Sequence, residues 1–494
     1  LPWQTTDEVE KISPVEAAAH YLTHLRDAFD HVVCGGQKKT IEQHGLAASP
    51  VVLTIPASFD AVARELTMRA AEQAGLQHVT LLEEPQAAFY AWLHAAGEEW
   101  REAVSVDDTV LVCDVGGGTT DFTLIRVAES AGDLTLERIA VGEHLLVGGD
   151  NMDLLLAYTL RQQIQEEKKK ELDRLQFLSL KRQVSAAKEA LLAGEKEKVQ
   201  ISILSGGRRL IGSGTIKTTL ESSHVESILV DGFFPPGELA DRPSSGLGLG
   251  LRELGLPYAA DARITRHLAA FLTRAAEDRG ADAGSLAPTR VLFNGGVMKA
   301  ERLRERILEN VHGWYPDSAD RLAPLAHHSL DLAAAVGAVR FGLTKQAGEG
   351  VRIRGGSTQT YYLGIASAQP AIPGLPPPML ALCVLPFGTE EGTTVPLPEA
   401  GEFELTVGEP VDFPFLASRH RQTDTAGQIL DETSELDEIA RLQLELTASE
   451  ADASPGTQVP VRLEAHTTDV GTLELFCVER DTGNKHKLEL NIRD

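Results

Sequence analysis

The sequence predicts two α/β lobes followed by an antiparallel β domain. Three observations indicate this order. Short apolar strands alternate with helices over residues 51–96, and a fully apolar strand at 109–113 runs into a glycine-rich turn. After residue 360, helical periodicity nearly disappears and alternation of apolar and polar residues takes its place. Strands that are apolar on both faces are typical of sheets covered by helices, whereas alternation is typical of half-exposed strands.

Composition limits the function classes. The 494 residues are enough for about three domains of roughly 150 residues, and the net charge is −26. We expect no nucleic-acid partner and no membrane partner, because a chain this acidic is repelled by phosphate-rich surfaces. Four cysteines lie far apart without a CxxC pair, so we expect no metal site or disulfide framework from them. This cysteine usage fits the cytoplasm.

The first lobe is predicted from five elements in which helices and strands alternate. Ser13 to Glu16 has the pattern of a capping box, which starts a helix. A buried strand follows at 51–56, and Gly75 ends the next helix. That helix spans 61–74, and a strand at 79–82 and a helix at 86–96 follow it.

The second lobe begins at the glycine-rich turn. A hairpin with its turn at 130–133 follows, then a charged helical stretch at 163–198 and an irregular insertion at 233–258. Its later elements are helices at 264–275, 300–311 and 330–343 and a strand at 290–294. The β domain is predicted from alternating runs at 459–465, 472–479 and 487–492.

The turn at 114–121 carries the clearest chemical signal. A phosphate requires backbone N–H groups at close range, and glycines permit that approach. Asp114, at the strand end, can hold the waters of a hydrated Mg²⁺. Thr119 can bond a terminal phosphate or the attacking water, and Asp121 can orient that water or accept its proton. The alternative is a tight hairpin whose aspartates are solvated turn residues.

Two further glycine turns precede helices. Gly148 and Gly149 stand before one helix, and Gly295 and Gly296 before another. Each can meet a nucleotide at a helix N-terminus, or can simply be a helix entry. Glu84 lies in an acidic pair at a strand-to-helix junction. It is either a helix-capping acid or a group that orients water near the phosphates.

These segments, in this order, resemble the seventy-kilodalton heat-shock chaperones (DnaK-like), whose ATPase domain has the actin-type fold. The resemblance runs through residues 51–60, 74–92, 110–122, 145–153, 291–299 and 329–339, and more weakly through 473–492. It implies the fold class: an actin-like, ribonuclease H-like two-lobe domain followed by an antiparallel β-sandwich. It also implies domains at 1–103 (remainder of lobe I), 104–344 (lobe II), 345–360 (linker) and 361–494 (substrate-binding-like sandwich).

The resemblance also implies a site for ATP or ADP with Mg²⁺. Asp114 and Asp121 would flank the ion and the hydrolytic water, and Glu84 would orient that water. The second phosphate loop would be Gly116, Gly117, Gly118 and Thr119. The nucleotide cleft would add Gly148, Gly149, Gly295, Gly296, Lys188 at the ribose and Asp331 on the adenosine side.

The chain departs from the family pattern at several places. The first phosphate loop, Asp-x-Gly-Thr, and the lysine after it do not occur, and Leu1 falls where lobe I is already under way, so we expect a fragment. We also expect a protein without the helical lid that follows the β domain in this family. Around adenosine, Ser185, Glu189 and Leu192 replace the usual Glu, Arg and Ser. The usual interdomain linker is replaced by residues 351–354, read VRIR.

The leading hypothesis is a divergent, lidless chaperone that hydrolyses ATP slowly and couples this to binding of extended peptide or unfolded protein, with co-chaperones as further partners. A second hypothesis is a nucleotide-gated co-chaperone or adaptor that does not hydrolyse ATP. An actin-fold sugar kinase is the third, and the β domain argues against it.

Overall fold

The structure is a computed structural model of the chain. Predictions that fall on the turn residues 131–132, on most of the insertion (245–258) and on the linker residues 351–352 lie outside the part of the chain it describes. The described residues are 11–130, 133–204, 215–244, 260–326, 329–347, 353–354, 356–366, 379–390, 392–397, 402–447, 454–468 and 472–491.

The chain divides into two compact units. The first joins Leu1–Glu84 to Phe341–Asp494, and the second is Pro85–Arg340. The domain boundaries predicted above stay predictions. Among the helices that the structure describes, none has the length and apolar character needed to cross a membrane.

The N-terminal part of the first unit is a small α/β layer. Its first helix begins with the predicted capping box, in which the Glu16 N–H donates to Ser13 Oγ (3.1 Å) and the Ser13 N–H donates to the Glu16 carboxylate (2.7 Å). The two strands pair in parallel. The elements are α1 (Pro14–Val33), α2 (Lys38–His44), β1 (Val51–Ile55), α3 (Ala61–Gln73) and β2 (Val79–Glu83).

The second unit is built on a mixed sheet. Its central strand is buried along its whole length, as expected for seven residues that are almost all apolar. The order across the sheet is β5-β4-β3-β8-β9, where β3 is antiparallel to β4 and parallel to β8. The strands are β3 (Thr109–Val115), β4 (Thr120–Ser130), β5 (Asp133–Val141), a separate hairpin of β6 (Lys198–Leu204) and β7 (Thr215–Glu221), β8 (Arg290–Asn294) and β9 (Ala323–Pro324).

Helices cover this sheet. The predicted charged stretch at 163–198 is broken, because Lys169 adopts a left-handed conformation (φ 53°) and Asp173 caps a new helix by accepting from the Gln176 N–H. The helices are α4 (Glu84–Ala96), α5 (Trp100–Ala103), α6 (Gly149–Lys168), α7 (Arg174–Leu192), α8 (Ser222–Val225), α9 (Asp231–Phe233), α10 (Ile264–Glu277), α11 (Glu301–Trp314) and α12 (Ala333–Ala347).

The C-terminal part of the first unit is a β-sandwich. One sheet has the order β16-β12-β11-β15-β17-β21, and the other has β13-β18-β19-β20 with β14 also paired to β18. Apolar residues of both sheets form one buried cluster. The short strand β10 (Ile353–Arg354) belongs to neither of these two sheets. The strands of the sandwich are β11 (Thr360–Ala366), β12 (Met379–Leu385), β13 (Thr394–Pro396), β14 (Glu402–Thr406), β15 (Pro410–Ser418), β16 (Ile429–Leu430), β17 (Asp437–Glu445), β18 (Gln458–Thr467), β19 (Leu473–Glu479), β20 (Lys485–Lys487) and β21 (Glu489–Asn491).

The predicted fold class is confirmed at this level: α/β elements are followed by an antiparallel, sheet-rich region. The order of elements follows from residue pattern, because apolar runs bounded by glycine or capping residues became strands and helices where expected.

Candidate functional site

Three neighbouring strands of the second unit carry oxygen-bearing side chains at the same edge of the sheet. Asp114 on β3 lies opposite Asp121 on β4 and beside Asn294 on β8. Partners in register on adjacent strands project from the same face of a sheet. The sequence therefore folds into a row of two carboxylates and one amide, which we call the oxygen row (Asp114, Asp121 and Asn294).

The oxygen row is buried. The exposed fractions of Asp114, Asp121 and Asn294 are 8%, 4% and 5%. The pKa of the Asp114 carboxyl is raised to about 6: burial raises it most, the hydrogen bond from Asn294 lowers it, and the charge of Asp121 raises it. A buried carboxylate of this kind is costly unless it is paired. The site is thus electrostatically unfavourable as it stands and would gain from a cation.

Hydrogen bonds orient the oxygen row. Asn294 Nδ2 donates to Asp114 Oδ2 at 2.7 Å, and His144 Nδ1 lies 3.2 Å from Asp121 Oδ1. Asn294 Oδ1 is buried and makes no hydrogen bond to any residue that the structure describes. Buried side-chain oxygens usually have a partner, so this atom marks an acceptor that an additional group could satisfy.

The first two glycine turns pack on each other. Gly149 N donates to the carbonyl of Gly116 (3.0 Å), and Asp150 N donates to that of Gly117 (2.7 Å). A Cβ on Gly148 would lie 2.6 Å from the Gly116 carbonyl oxygen, so only glycine permits this approach. The first N–H groups of α6 therefore fix the turn after β3.

The third glycine turn lies against the oxygen row. Gly295 follows Asn294 with φ +85°, a conformation that glycine adopts readily. A Cβ there would stand 2.7 Å from Asp114 Oδ1 and would also collide with the carbonyl of Val115. Its lack of a side chain keeps one side of the Asp114 carboxylate clear.

A cavity of about 560 Å³ opens beside these turns. Lys188 forms an ion pair with Asp153 (2.7 Å), and Lys299 forms one with Asp331 (2.5 Å). Glu189 projects from α7 and also lines the cavity. Of the residues predicted from sequence, those on the cavity wall are Gly117, Gly149, Gly296, Lys188 and Asp331.

These residues fit a nucleotide with Mg²⁺. Gly117 and Gly118 are exposed, a Cβ on either would meet nothing within 4 Å, and their N–H groups donate no hydrogen bond within the described ranges. Mg²⁺ prefers oxygen ligands and retains several waters, so it needs few protein groups. No cluster of three His, Cys, Asp or Glu side chains suited to a metal occurs among the described residues, and the oxygen row holds two carboxylates.

Glu84 and Thr119 are placed less directly. Thr119 is half-buried in the turn, where its carbonyl accepts from Gly116 N (2.9 Å). Glu84 is the half-buried first residue of α4 and belongs to the first unit. Its predicted role as a water-orienting group stays a prediction.

Sequence reasoning missed three residues at this site: Asn294, His144 and Asp153. Asn294 ends an apolar strand before two glycines, which is the signal that singled out Asp114. His144 and Asp153 gave no such signal, because their partners Asp121 and Lys188 are brought to them by tertiary folding.

A larger cavity of about 950 Å³ lies at the opposite end of the same strands. Its wall includes Asp108, Arg290 and Arg321 and none of the three glycine turns. A phosphate site needs accessible backbone N–H groups as well as space, and of these two cavities it is the smaller one that lies beside the glycine turns.

Comparison with known proteins finds a family model and curated relatives that match part of the chain. Residues 3–231 match the family model described as Hsp70 protein. The chain is 34% identical over 187 residues to "Chaperone protein HscA homolog" of Actinobacillus pleuropneumoniae serotype 5b (strain L20), which covers 38% of this chain and 26% of the relative.

Two other relatives show similar coverage. Identity is 29% over 192 residues to "Chaperone protein HscA homolog" of Acinetobacter baumannii (strain AYE), covering 39% of this chain and 27% of the relative. It is 32% over 151 residues to "Chaperone protein HscA" of Proteus mirabilis (strain HI4320), covering 31% and 21%. The chain thus spans about a quarter of the length of the curated relatives it matches.

Proposed function

We propose that this chain is a member of the Hsp70 family, whose model matches residues 3–231, and that it is part of a molecular chaperone that binds ATP with Mg²⁺. The ATPase domain of this family is actin-like, in agreement with the predicted fold class. The observation that carries the proposal is the meeting of the three glycine turns with the oxygen row at one edge of the β3–β8 sheet.

The turn after β3 would hold the phosphates. Gly117 and Gly118 present N–H groups without side chains in front of them, and such groups bind anionic oxygens well. The bonds from Gly149 and Asp150 to the carbonyls of this turn keep it rigid. A rigid turn loses little entropy when the nucleotide binds.

The oxygen row would hold the cation. Mg²⁺, when bound, neutralises the charge on phosphate oxygens. Asp114 would accept hydrogen bonds from waters of the hydrated ion, and Gly295 leaves one side of its carboxylate clear for them. Since the pKa of Asp114 is about 6, its carboxylate is charged near neutral pH and can serve this role.

Hydrolysis would rely on positioning. Asp121 would orient the attacking water, with His144 holding one carboxylate oxygen at 3.2 Å. Thr119 would contribute a further hydrogen bond to that water. Such an arrangement lowers the barrier by orientation and preorganised charge, which suits slow turnover.

The smaller cavity would take the nucleoside. Lys188 is held by Asp153 and donates to the carbonyl of Gly149 (3.3 Å), so its ammonium is fixed beside the phosphate turn. Asp331 and Lys299 form the other side. Ribose hydroxyls can form hydrogen bonds with both the Lys188 ammonium and the Asp331 carboxylate.

The β-sandwich would bind extended peptide or unfolded protein, as the family membership suggests. A strand-like peptide is held by main-chain hydrogen bonds and by pockets for alternate side chains. Nucleotide state would change the strength of this binding, and co-chaperones would set the rate of exchange.

A second candidate is a nucleotide-gated adaptor without hydrolysis. The altered residues on the cavity wall, Ser185, Glu189 and Leu192, favour it, because they differ from the residues usual in the family on the adenosine side.

Calorimetric titration of the full chain with MgATP, followed by single-turnover hydrolysis, separates these candidates. We expect binding and slow turnover in the wild type, and at least tenfold slower turnover in Asp121→Asn. Asp317→Asn is the matched control, because Asp317 is exposed and remote in sequence from the turns. Binding without turnover selects the adaptor, and absence of MgATP binding contradicts both candidates.

A further inference from the structure

Asn294 is the member of the oxygen row to which the sequence assigned no role. It ends β8, lies in register with Asp114 and is 5% exposed. Its Nδ2 donates to Asp114 at 2.7 Å, and its Oδ1 has no hydrogen-bond partner within the described part of the chain. Among the described residues, the NH₂ group of the amide thus has a hydrogen-bond partner and its oxygen has none.

The chemistry of Asp114 fixes which way the amide faces. An ionised carboxylate only accepts hydrogen bonds, so the NH₂ group of Asn294 must point toward it. The amide oxygen then points elsewhere and is buried without a donor. A buried acceptor without a partner costs free energy, and a bound water or a cation would recover it.

Charge favours an amide at this place. Asp114 and Asp121 are adjacent buried carboxylates, in register across the β3–β4 ladder. A third carboxylate would add repulsion, whereas an amide adds an oxygen without adding charge. The cavity lysines Lys188 and Lys299 are each paired with another acid, so neither is committed to the oxygen row.

We propose that Asn294 is a positioning residue of the cation site: its Nδ2 orients the Asp114 carboxylate, and its Oδ1 accepts a hydrogen bond from a water of the hydrated Mg²⁺. This inference rests on the proposed function, since it concerns the ion that accompanies the nucleotide. Replacing a group that orients a cation-binding side chain typically lowers metal affinity tenfold to a hundredfold.

A purely structural role makes a different prediction. If Asn294 only stabilised the end of β8, substitution would lower the unfolding temperature equally with and without the ion. A role at the cation site instead makes the effect depend on the ion. Cation affinity and ion-dependent stabilisation therefore distinguish the two roles without any measurement of turnover.

The test uses Mn²⁺ as the probe ion. Free Mn²⁺ is measured by electron paramagnetic resonance while the full chain is titrated in the presence of ADP, and thermal unfolding is recorded with and without Mg²⁺. For Asn294→Leu, which has similar size and no polar atom, we expect Mn²⁺ affinity to fall about tenfold or more. We expect the shift in unfolding temperature produced by Mg²⁺ to fall with it.

Two further variants complete the experiment. Asn294→Asp keeps an oxygen at this place but replaces the donor to Asp114 by a third carboxylate, so we expect a lower unfolding temperature without the ion and a larger rise on addition of Mg²⁺ than in the wild type. If Asn294→Leu does not fold, this variant decides the matter, because a purely structural role predicts the same rise as in the wild type. Asn310→Leu is the matched control: the Asn310 amide is buried and bonds Gly237 N (2.9 Å) and the Arg306 carbonyl (2.8 Å) away from the site.

The outcomes are distinct. Asn310→Leu should lower the unfolding temperature equally with and without Mg²⁺ and leave Mn²⁺ affinity unchanged. If the wild type binds Mn²⁺ with ADP and Asn294→Leu binds it within twofold, the inference about Asn294 is wrong and the proposed function stands. If the wild type binds neither ADP nor Mn²⁺, the proposed function itself fails.

Discussion

Each end of β3 has a buried aspartate, and the groups around the two carboxylates are opposite in charge. Asp108, just before the strand, is 1% exposed and accepts from Thr289 Oγ1 (2.7 Å), Arg321 (2.9 Å) and Ser105 N (2.8 Å). Arg290 lies 3.6 Å away. Asp114, at the other end, faces the carboxylate of Asp121 across the ladder.

This difference separates structural from functional charge. Two guanidinium groups and a hydroxyl satisfy the carboxylate of Asp108, so it holds the start of β3 to β8. At Asp114, burial raises the pKa to about 6, and the neighbouring Asn294 has an unsatisfied oxygen. Perturbed carboxyl groups of this kind are common where proteins bind ions or substrates.

The largest expected effect is a loss of stability when Asp108, the aspartate with hydrogen-bonding partners, is replaced. Asp108→Ala leaves the Thr289 hydroxyl and the Ser105 N–H without their acceptor, and each buried donor left unsatisfied typically costs about 1–3 kcal/mol. The partly exposed Arg290 and Arg321 contribute less. We expect a correspondingly lower urea midpoint, independent of Mg²⁺. Asp317→Ala, an exposed acid, is the control and should change stability by less than about 0.5 kcal/mol. A loss below about 1 kcal/mol for Asp108→Ala would contradict this view of Asp108.

At Asp114 we expect substitution to raise the stability of the metal-free protein and not to lower it. Its folded pKa of about 6 lies above the unfolded value near 3.8, so the ionised group destabilises the metal-free protein above pH 6. Asp114→Asn removes that penalty, which is at most about 3 kcal/mol for a shift of roughly two pH units. We expect a higher urea midpoint at pH 7.5 without Mg²⁺. A lower midpoint would show that Asp114 is a structural group like Asp108.

The same shift predicts a pH dependence. Metal-free stability should fall as pH rises from about 4 toward 6 and then level off, because the folded state binds a proton that the unfolded state has released. The difference between wild type and Asp114→Asn isolates this group from other carboxyls. We expect that difference to grow by about 2 kcal/mol between pH 4.5 and 7.5. A difference that is constant across this range would refute the assignment.

Much of this comparison could be anticipated from sequence, and part of it could not. The strand, the glycine turn and Asp114 follow from an apolar run that ends in acid and glycine, which are local signals. The partners of Asp108 lie 181 and 213 residues away in sequence, so no local pattern reveals them. The break between α6 and α7 was predictable in principle, since Asp173 and Gln176 form a capping box.

A smaller effect is expected where the glycine turns touch. Gly148→Ala places a methyl group 2.6 Å from the Gly116 carbonyl, and such overpacking costs about 1–3 kcal/mol. Gly117→Ala is the matched control for stability, because a Cβ there meets nothing within 4 Å. Thermal unfolding of the two variants should therefore differ. Equal unfolding temperatures would mean that the two turns do not depend on close contact.

The smallest effect is expected on the cavity wall. Glu189→Arg replaces a carboxylate by a guanidinium beside a polyanionic ligand, and an exposed charge of this kind changes binding by about 1 kcal/mol or less. We expect ATP affinity to rise up to about fivefold at low salt, with the gain shrinking in high salt. Calorimetric titration at two salt concentrations checks this. An unchanged affinity at low salt would place Glu189 away from the bound nucleotide.

Magnesium dependence of nucleotide binding tests the central claim most directly. The affinity of the full chain for ATP is measured by calorimetry with Mg²⁺ and with a chelator, for the wild type and for Asp114→Asn. We predict that the wild type binds at least tenfold more tightly with Mg²⁺, and that Asp114→Asn loses most of this difference. Equal affinity of the wild type with and without Mg²⁺, or an unaltered Mg²⁺ effect in Asp114→Asn, would contradict the assignment of the oxygen row to the cation.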